Sequence, residues 1–385
     1  MKFSENENKL TIFFEGKVDS INAGEVDEEI NGIISGKEDK ELILNFASLD
    51  YISSAGLRII LKLMKKMKSV EVVDASSEIY EILEMTGFTQ LINVKKAYKV
   101  LSVDGCKVIG EGAKGIVYRY NSDTIIKVYK KNDVLPMIQR ERELAKKAFI
   151  LGIPTAISYD VVKVGDSYAS VFELLDCDSM STVVASGKDK IEECAEGYAK
   201  LLKQIHTTMV NVNDMPCVDK LLDTWYKNSE KYLDDEAKEK ARKLLDNLDE
   251  PNTMIHGDYH TNNVMIQKDE LILIDMDTLS YGNPIVELAI VDFTYNSFNQ
   301  YDENNSKDFL GINKEDAKEF YKYFLKYYFE GLGSDEIKKN QEKIELLSHF
   351  RILNHIIKRN YKEEIIKEVA GKVKELVAKV DDLNL

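Results

Sequence analysis

Over the first hundred residues, short apolar runs at 10–14, 41–46 and 70–74 alternate with amphipathic stretches at 23–34, 56–67 and 78–85. Strand, helix, strand, helix is the rhythm of an α/β sandwich. In the 56–67 stretch Leu57, Ile60, Leu61 and Met64 fall on one helical face, while Lys62, Lys65, Lys66 and Lys68 lie largely on others. That pattern predicts a helix packed on a sheet. After Asp104 the texture changes to three short strands, 107–110, 116–120 and 124–129, followed by a long charged helix over 137–151. No Gly/Pro-rich linker separates the halves, so the polar Lys95, Lys96, Lys99 and Asp104-Gly105 mark the join. The aromatic-rich 320–328 segment reads as core at helical spacing, and 335–385 as amphipathic helices.

Length and charge narrow the picture. At roughly 150 residues per domain, 385 residues predict two or three domains. Apolar residues make up 44% and charged residues 31%, the balance of a globular protein and not a disordered one. The formal charge is -15, from 52 basic and 67 acidic side chains. Such a surface repels phosphate backbones and anionic lipid, so no nucleic acid and no membrane partner is expected. The start MKFSENENKLTIFFEG fits neither a signal peptide nor a spanning helix. Cys106, Cys177, Cys194 and Cys217 are scattered without a CxxC pair and predict reduced thiols, neither a disulfide framework nor a zinc site. A cytoplasmic location is the expectation.

The chemistry concentrates in the second segment. Gly110, Gly112 and Gly115 spell GxGxxG, which dinucleotide-binding folds and kinases share. A dinucleotide fingerprint must open a helix, whereas 116–120 alternates branched and aromatic residues like a strand. The reading is a strand-loop-strand flap over phosphates, with bare backbone close to a triphosphate and Val117 covering the adenine. Twelve positions after Gly115, Lys127 sits in a short apolar strand and matches the lysine that holds the α- and β-phosphates. Burying it requires a carboxylate. The following helix offers Glu141 and Glu143, with Glu143 preferred by its distance along the chain; the alternative for Glu143 is an ordinary exposed position beside Arg140, Arg142 and Lys146. The run Val171-Phe172-Glu173-Leu174-Leu175 ends another apolar strand and is a candidate hinge meeting the adenine through backbone groups.

The fullest signal is the run from Met254 to Asp277: strand, polar loop, strand, turn, strand, acid. Phosphoryl transfer to a hydroxyl needs a carboxylate to accept the proton and oxygen ligands for Mg2+, and Asp258, Asn263 and Asp275 stand at kinase-loop spacing. His256 and His260 have no third nitrogen or thiol nearby and read as loop braces, and His206 as a structural histidine. At Ser53 and Ser54, where a strand turns into a helix, helix capping is the simplest role.

Two resemblances follow from these residues. LDYISSAGLRIILKLMKKM, with EGKVDS before it and EILEMTGFTQLINV after it, resembles the STAS fold of bacterial anti-sigma-factor antagonists. The resemblance implies that Ser54 is a regulatory phosphorylation site and that a protein partner docks there; Ser53 stands where that family commonly has Asp. From about Val103 the chain resembles the aminoglycoside phosphotransferase and choline kinase branch of the protein-kinase-like fold. HGDYHTNN, Gly282-Asn283-Pro284 and Glu287-Leu288-Ala289 carry that likeness. It implies Asp258 as catalytic base, Asn263 and Asp275 as metal ligands and Lys127 as phosphate ligand, with ATP and Mg2+ as cofactors. Gly257 stands where protein kinases carry Arg, and few residues separate Asp277 from Gly282, leaving no room for a long activation loop.

The fold expected is an α/β STAS-like sandwich over 1–102 followed by an α+β bilobal protein-kinase-like domain over 103–385. Its small β-rich lobe takes about 103–175 and its large helical lobe about 176–385. The activity expected is an ATP- and Mg-dependent phosphotransferase acting on a small-molecule hydroxyl. The alternatives are a protein kinase acting on Ser54 or a partner, and a non-catalytic nucleotide-sensing module.

Overall fold

A computed structural model describes the chain apart from Ala113, Asn132, Asp133, Asp176 and Asp269 and the side chain of Asp219. Two units emerge, 1–105 together with 161–169, and 106–160 together with 170–385.

The first unit is built on a five-stranded sheet in the order β1(Lys2–Glu5), β2(Lys9–Val18), β3(Glu41–Ile52), β4(Ser69–Ala75), β5(Asn93–Lys96). β1 runs antiparallel to β2, and the remaining neighbours are parallel. The edge strands β1 and β5 carry little apolar patterning and were not legible as strands. Helices Ala23–Ile34, Ser54–Lys66 and Ser77–Met85 form the crossovers that parallel pairing requires. Leu10, Ile12, Leu42, Leu44, Phe46 and Val72 are sealed against Ile30, Ile60, Ile79 and Leu83.

In helix Ser54–Lys66 the buried stripe is Gly56, Leu57, Ile59, Ile60 and Leu63, and Leu61 is 39% exposed. The apolar face is thus rotated from the expected set. Gly56 is the reason it packs so closely: a Cβ there would stand 2.6 Å from Ile52 Cγ1 and 2.9 Å from Val18 Cγ1. Also within this unit, Val100 bridges Lys163, and Tyr98 packs edge-on to Tyr168 at 5.1 Å.

A second five-stranded sheet has the order β6(Lys107–Glu111), β7(Gly115–Arg119), β8(Thr124–Tyr129), β10(Ser167–Glu173), β9(Asp160–Val164). Helix Leu135–Ile150 follows β8. The large lobe is helical. Its core joins Tyr198, Tyr259, Tyr295, Phe320 and Phe324 with the apolar faces of helices Ile191–Thr207, Pro284–Asp292, Lys314–Tyr328 and Ser334–Lys358. The hairpin Val264–Gln267/Glu270–Leu273 lies in the large lobe, and Met254–Ile255 pairs antiparallel with Ser280–Tyr281. That short pair closes the segment after Asp277 within a few residues, because Asn283 already caps the next helix. Among the described residues no helix is long and apolar enough to cross a membrane, and none of the four cysteines is in a disulfide.

Candidate active site

A cavity of about 690 Å³ in the second unit is lined by Gly110, Gly112, Gly115, Val117, Lys127, Glu173, Asp258, Asn263 and Asp275. These positions span more than 160 residues of sequence, and the fold draws them to one space. Ile109, Ile125, Phe172, Leu174, Met265 and Ile274 supply apolar walls.

Lys127 projects from β8 into this space and is only 17% exposed. Its Nζ lies 2.8 Å from Asp275 Oδ1 and 3.3 Å from Glu141 Oε1. Although burial opposes the charge, Glu141 and Asp275 hold the ammonium protonated above the usual lysine range. Glu141 is buried, and its second oxygen accepts from Tyr129 Oη at 2.9 Å. The expected partner, Glu143, is exposed and does not reach Lys127. Two residues of helix turn the side chain by about 200°, so the two glutamates cannot share a face, and packing of Leu144, Ala145 and Ala148 selects Glu141.

Asp275 adopts a left-handed backbone, φ 63°, which a non-glycine residue accepts at a cost of about 1–3 kcal/mol and which clusters at functional sites. Burial would raise its pKa, but Lys127 and Lys114 hold its carboxyl below the ordinary range. Asp277, two residues on, pairs with Lys114 of the glycine-rich turn.

The Asp258 loop is held by main-chain bonds to buried side chains. Glu287, fully buried, accepts from His256 N at 2.9 Å and Gly257 N at 2.6 Å. His206 Nε2 lies 3.1 Å from Glu287 Oε2, and His206 Nδ1 lies 2.7 Å from Tyr328 Oη. Tyr198 Oη donates to Tyr259 O, and Tyr259 Oη to Tyr198 O, each at 2.8 Å. Thr261 N donates to Tyr295 Oη at 2.9 Å, and Asn263 Nδ2 to Asp258 O at 3.0 Å. Gly257 has φ +86°, and a Cβ there would meet Thr278 O at 2.6 Å. Its place in HGD is therefore steric.

Asp258 is partly exposed, with Oδ2 3.5 Å from His260 Nε2. Burial pushes its pKa up, but the His260 hydrogen bond and the fields of His260, His256 and Arg351 outweigh it and keep the carboxyl below the aspartate range. Arg351 lies 4.7 Å above the Phe293 ring and 5.7 Å from that of Trp225. Burial lowers its pKa to about 10, so it stays charged at neutral pH.

Of the three flap glycines, one is compelled by the chain itself. A Cβ at Gly115 would lie 2.6 Å from Val128 O, whereas Gly112 meets nothing. Sequence reasoning missed Glu287, Arg351 and Lys114 as participants. Glu287 stood only within a family motif, and no local pattern marks Arg351 or Lys114.

In the first unit Ser53 caps helix Ser54–Lys66, its hydroxyl accepting from Ala55 N at 3.2 Å and Gly56 N at 3.5 Å. Ser54 is exposed, and its hydroxyl has no hydrogen-bond partner among the described residues. Of the two serines, the cap is Ser53.

Residues 105–310 match the model of the phosphotransferase enzyme family, and residues 1–100 that of the STAS domain. The "Putative anti-sigma factor antagonist BtrV" of Bordetella bronchiseptica is 30% identical over 89 residues, 22% of this chain and 76% of that protein. Among solved structures, aminoglycoside phosphotransferase APH(2'')-Ib with ADP aligns at 15% identity and TM-score 0.47, covering 79% of this chain and 99% of that one. APH(2'')-IIa in its gentamicin complex aligns at 16% and 0.44, covering 77% and 97%. The chain belongs to the phosphotransferase enzyme family and carries a STAS domain at its N-terminal end.

Proposed function

We propose that the second unit transfers the γ-phosphoryl group of ATP to a hydroxyl of a small molecule, with the STAS domain as a regulatory or docking module. The observation that carries this reading is the convergence of Lys127, Asp258, Asn263 and Asp275 on one cavity. The apolar walls and glycine-rich turn suit a purine and its phosphates.

In the proposed reaction the Asp258 carboxylate orients the acceptor hydroxyl and takes its proton. The acceptor oxygen forms the new bond to the γ-phosphorus as the bond to the β,γ-bridging oxygen breaks, and ADP leaves with that electron pair. Lys127, protonated and braced by Glu141, binds phosphate oxygens. The donor set fits Mg2+: an amide oxygen from Asn263 and a carboxylate from Asp275, both lining the cavity, are the oxygen-only, few-carboxylate set that magnesium takes beside phosphates. Bound there, the ion neutralises charge on the phosphates.

The short segment from Asp277 to Asn283 supports a small acceptor, since no long loop stands ready to receive a polypeptide. Incubation of the full chain with ATP, Mg2+ and a panel of hydroxyl acceptors should release ADP and yield a phosphorylated product. Asp258→Asn should abolish both, and turnover persisting in that variant overturns the assignment.

A second reading is favoured by one observation, the exposed and unpartnered Ser54 hydroxyl beside a serine that already caps the helix. A phosphate there adds about -1.5 to -2 charge, and mass spectrometry after incubation with ATP tests it. Ser54 unmodified while ADP accumulates rejects autophosphorylation.

A further inference from the structure

The strand lysine has a companion. Lys127 from β8 pairs with Asp275, and Lys114 from the glycine-rich turn pairs with Asp277. Two ammonium groups on separate elements meet two carboxylates placed two residues apart, and Lys114, Lys127 and Asp275 line the same cavity. The turn is tied at its base, Gly112 N to Gly115 O at 2.9 Å and Lys130 N to Lys114 O at 3.0 Å. The main chain of Lys114 is thereby fixed, while its flexible four-carbon stem keeps the reach of a swinging arm.

The pair leaves a loose end. Asp277 Oδ2 meets Lys114, but Asp277 Oδ1 is buried with no partner among the described residues. A buried carboxylate oxygen without a donor is costly, so Lys114 does not by itself complete the surroundings of Asp277. Lys114 is 38% exposed and reaches the cavity, so its ammonium stands where a better match can take over.

We propose that Lys114 is a second phosphate-binding residue and Asp277 its resting counter-ion. When the polyphosphate of a nucleotide enters, the ammonium swings on its side chain from Asp277 to a terminal phosphate oxygen. The inference rests on the nucleotide reading above. The exchange keeps the ammonium paired, one lysine–carboxylate contact being replaced by one lysine–phosphate contact, and its cost falls on Asp277, which gives up its lysine. A static latch makes the opposite demand, because a Lys114–Asp277 bridge that merely shuts the turn hinders entry, and cutting it from either side eases entry.

The test is a titration of the full-length chain with a fluorescent N-methylanthraniloyl ATP, first in EDTA and then with Mg2+. The metal-free arm isolates the lysine–phosphate contact. Lys114→Met should weaken metal-free binding by roughly tenfold or more, Lys114→Arg should recover most of it, and Asp277→Asn should tighten it by removing the competing carboxylate. With Mg2+, Lys114→Met should raise the KM for ATP. Tightening in both Lys114→Met and Asp277→Asn identifies a latch and overturns the proposal, as does equal affinity in wild type and Lys114→Met. A wild type that binds no ATP in either arm refutes the nucleotide reading itself, whereas one that binds and is indifferent to Lys114→Met refutes this inference alone.

Discussion

Glu141 and Glu143 show how finely a site is chosen along a helix. Both are glutamates within reach of Lys127 by sequence distance, yet one is buried beneath the strand lysine and the other faces solvent. Distance along the chain carries no azimuth, and the azimuth is set by which residues of Leu135–Ile150 pack inward. Glu141→Gln should therefore lower kcat/KM by about tenfold or more through loss of Lys127 positioning. Glu143→Gln should leave it within about twofold. Steady-state ADP release measures both, and equal losses would return the pairing to Glu143. The left-handed Asp275 illustrates the same limit: its place in the motif was legible, but the backbone that turns its carboxylate to Lys127 arises from the strand-to-turn geometry around it.

At the scale of elements, helix Ser54–Lys66 was legible as a helix but not in its rotation. Leu57 and Ile60 belong to both candidate stripes, and the choice of Leu63 over Leu61 was made by the close approach at Gly56 to Val18 and Ile52. Ser53 then caps the helix because its hydroxyl is one short side chain from two unpaired N–H groups. Ser53→Ala should cost about 1 kcal/mol of local stability, read as roughly fivefold faster hydrogen exchange in Ser54–Lys66. Ser54→Ala should leave those rates nearly unchanged, and comparable acceleration in both variants would contradict the division of roles between the two serines.

On the scale of the whole molecule, the Asp258 loop depends on residues from distant parts of the chain: Tyr198 and His206 from one helix, Glu287 from another, Tyr295 beyond it. Glu287 is the hub. Burial opposes its charge, but His206 and the His256 main-chain N–H hold its pKa below the ordinary glutamate range. A depressed carboxyl contributes stability that is fully present above the unfolded value of about 4.3 and is lost as pH falls through the folded value. Glu287→Gln should destabilise the second unit by about 3 kcal/mol at neutral pH, and the gap from wild type should narrow as the pH drops below about 4.3. Urea unfolding followed by fluorescence of the buried Trp225 measures it, and a gap independent of pH would remove the charged role of Glu287. By itself the sequence determined the order of strands and helices apart from the edge strands β1 and β5, because periodicity is local and survives in one dimension, and its resemblances marked the STAS and phosphotransferase segments and the motif around Asp258. Tertiary structure alone decided which glutamate meets Lys127, which leucine of the helix is covered, that Lys114 reaches Asp277, and that Glu287 and Arg351 stand behind the loop, because each depends on rotation and on approach between residues far apart in the chain.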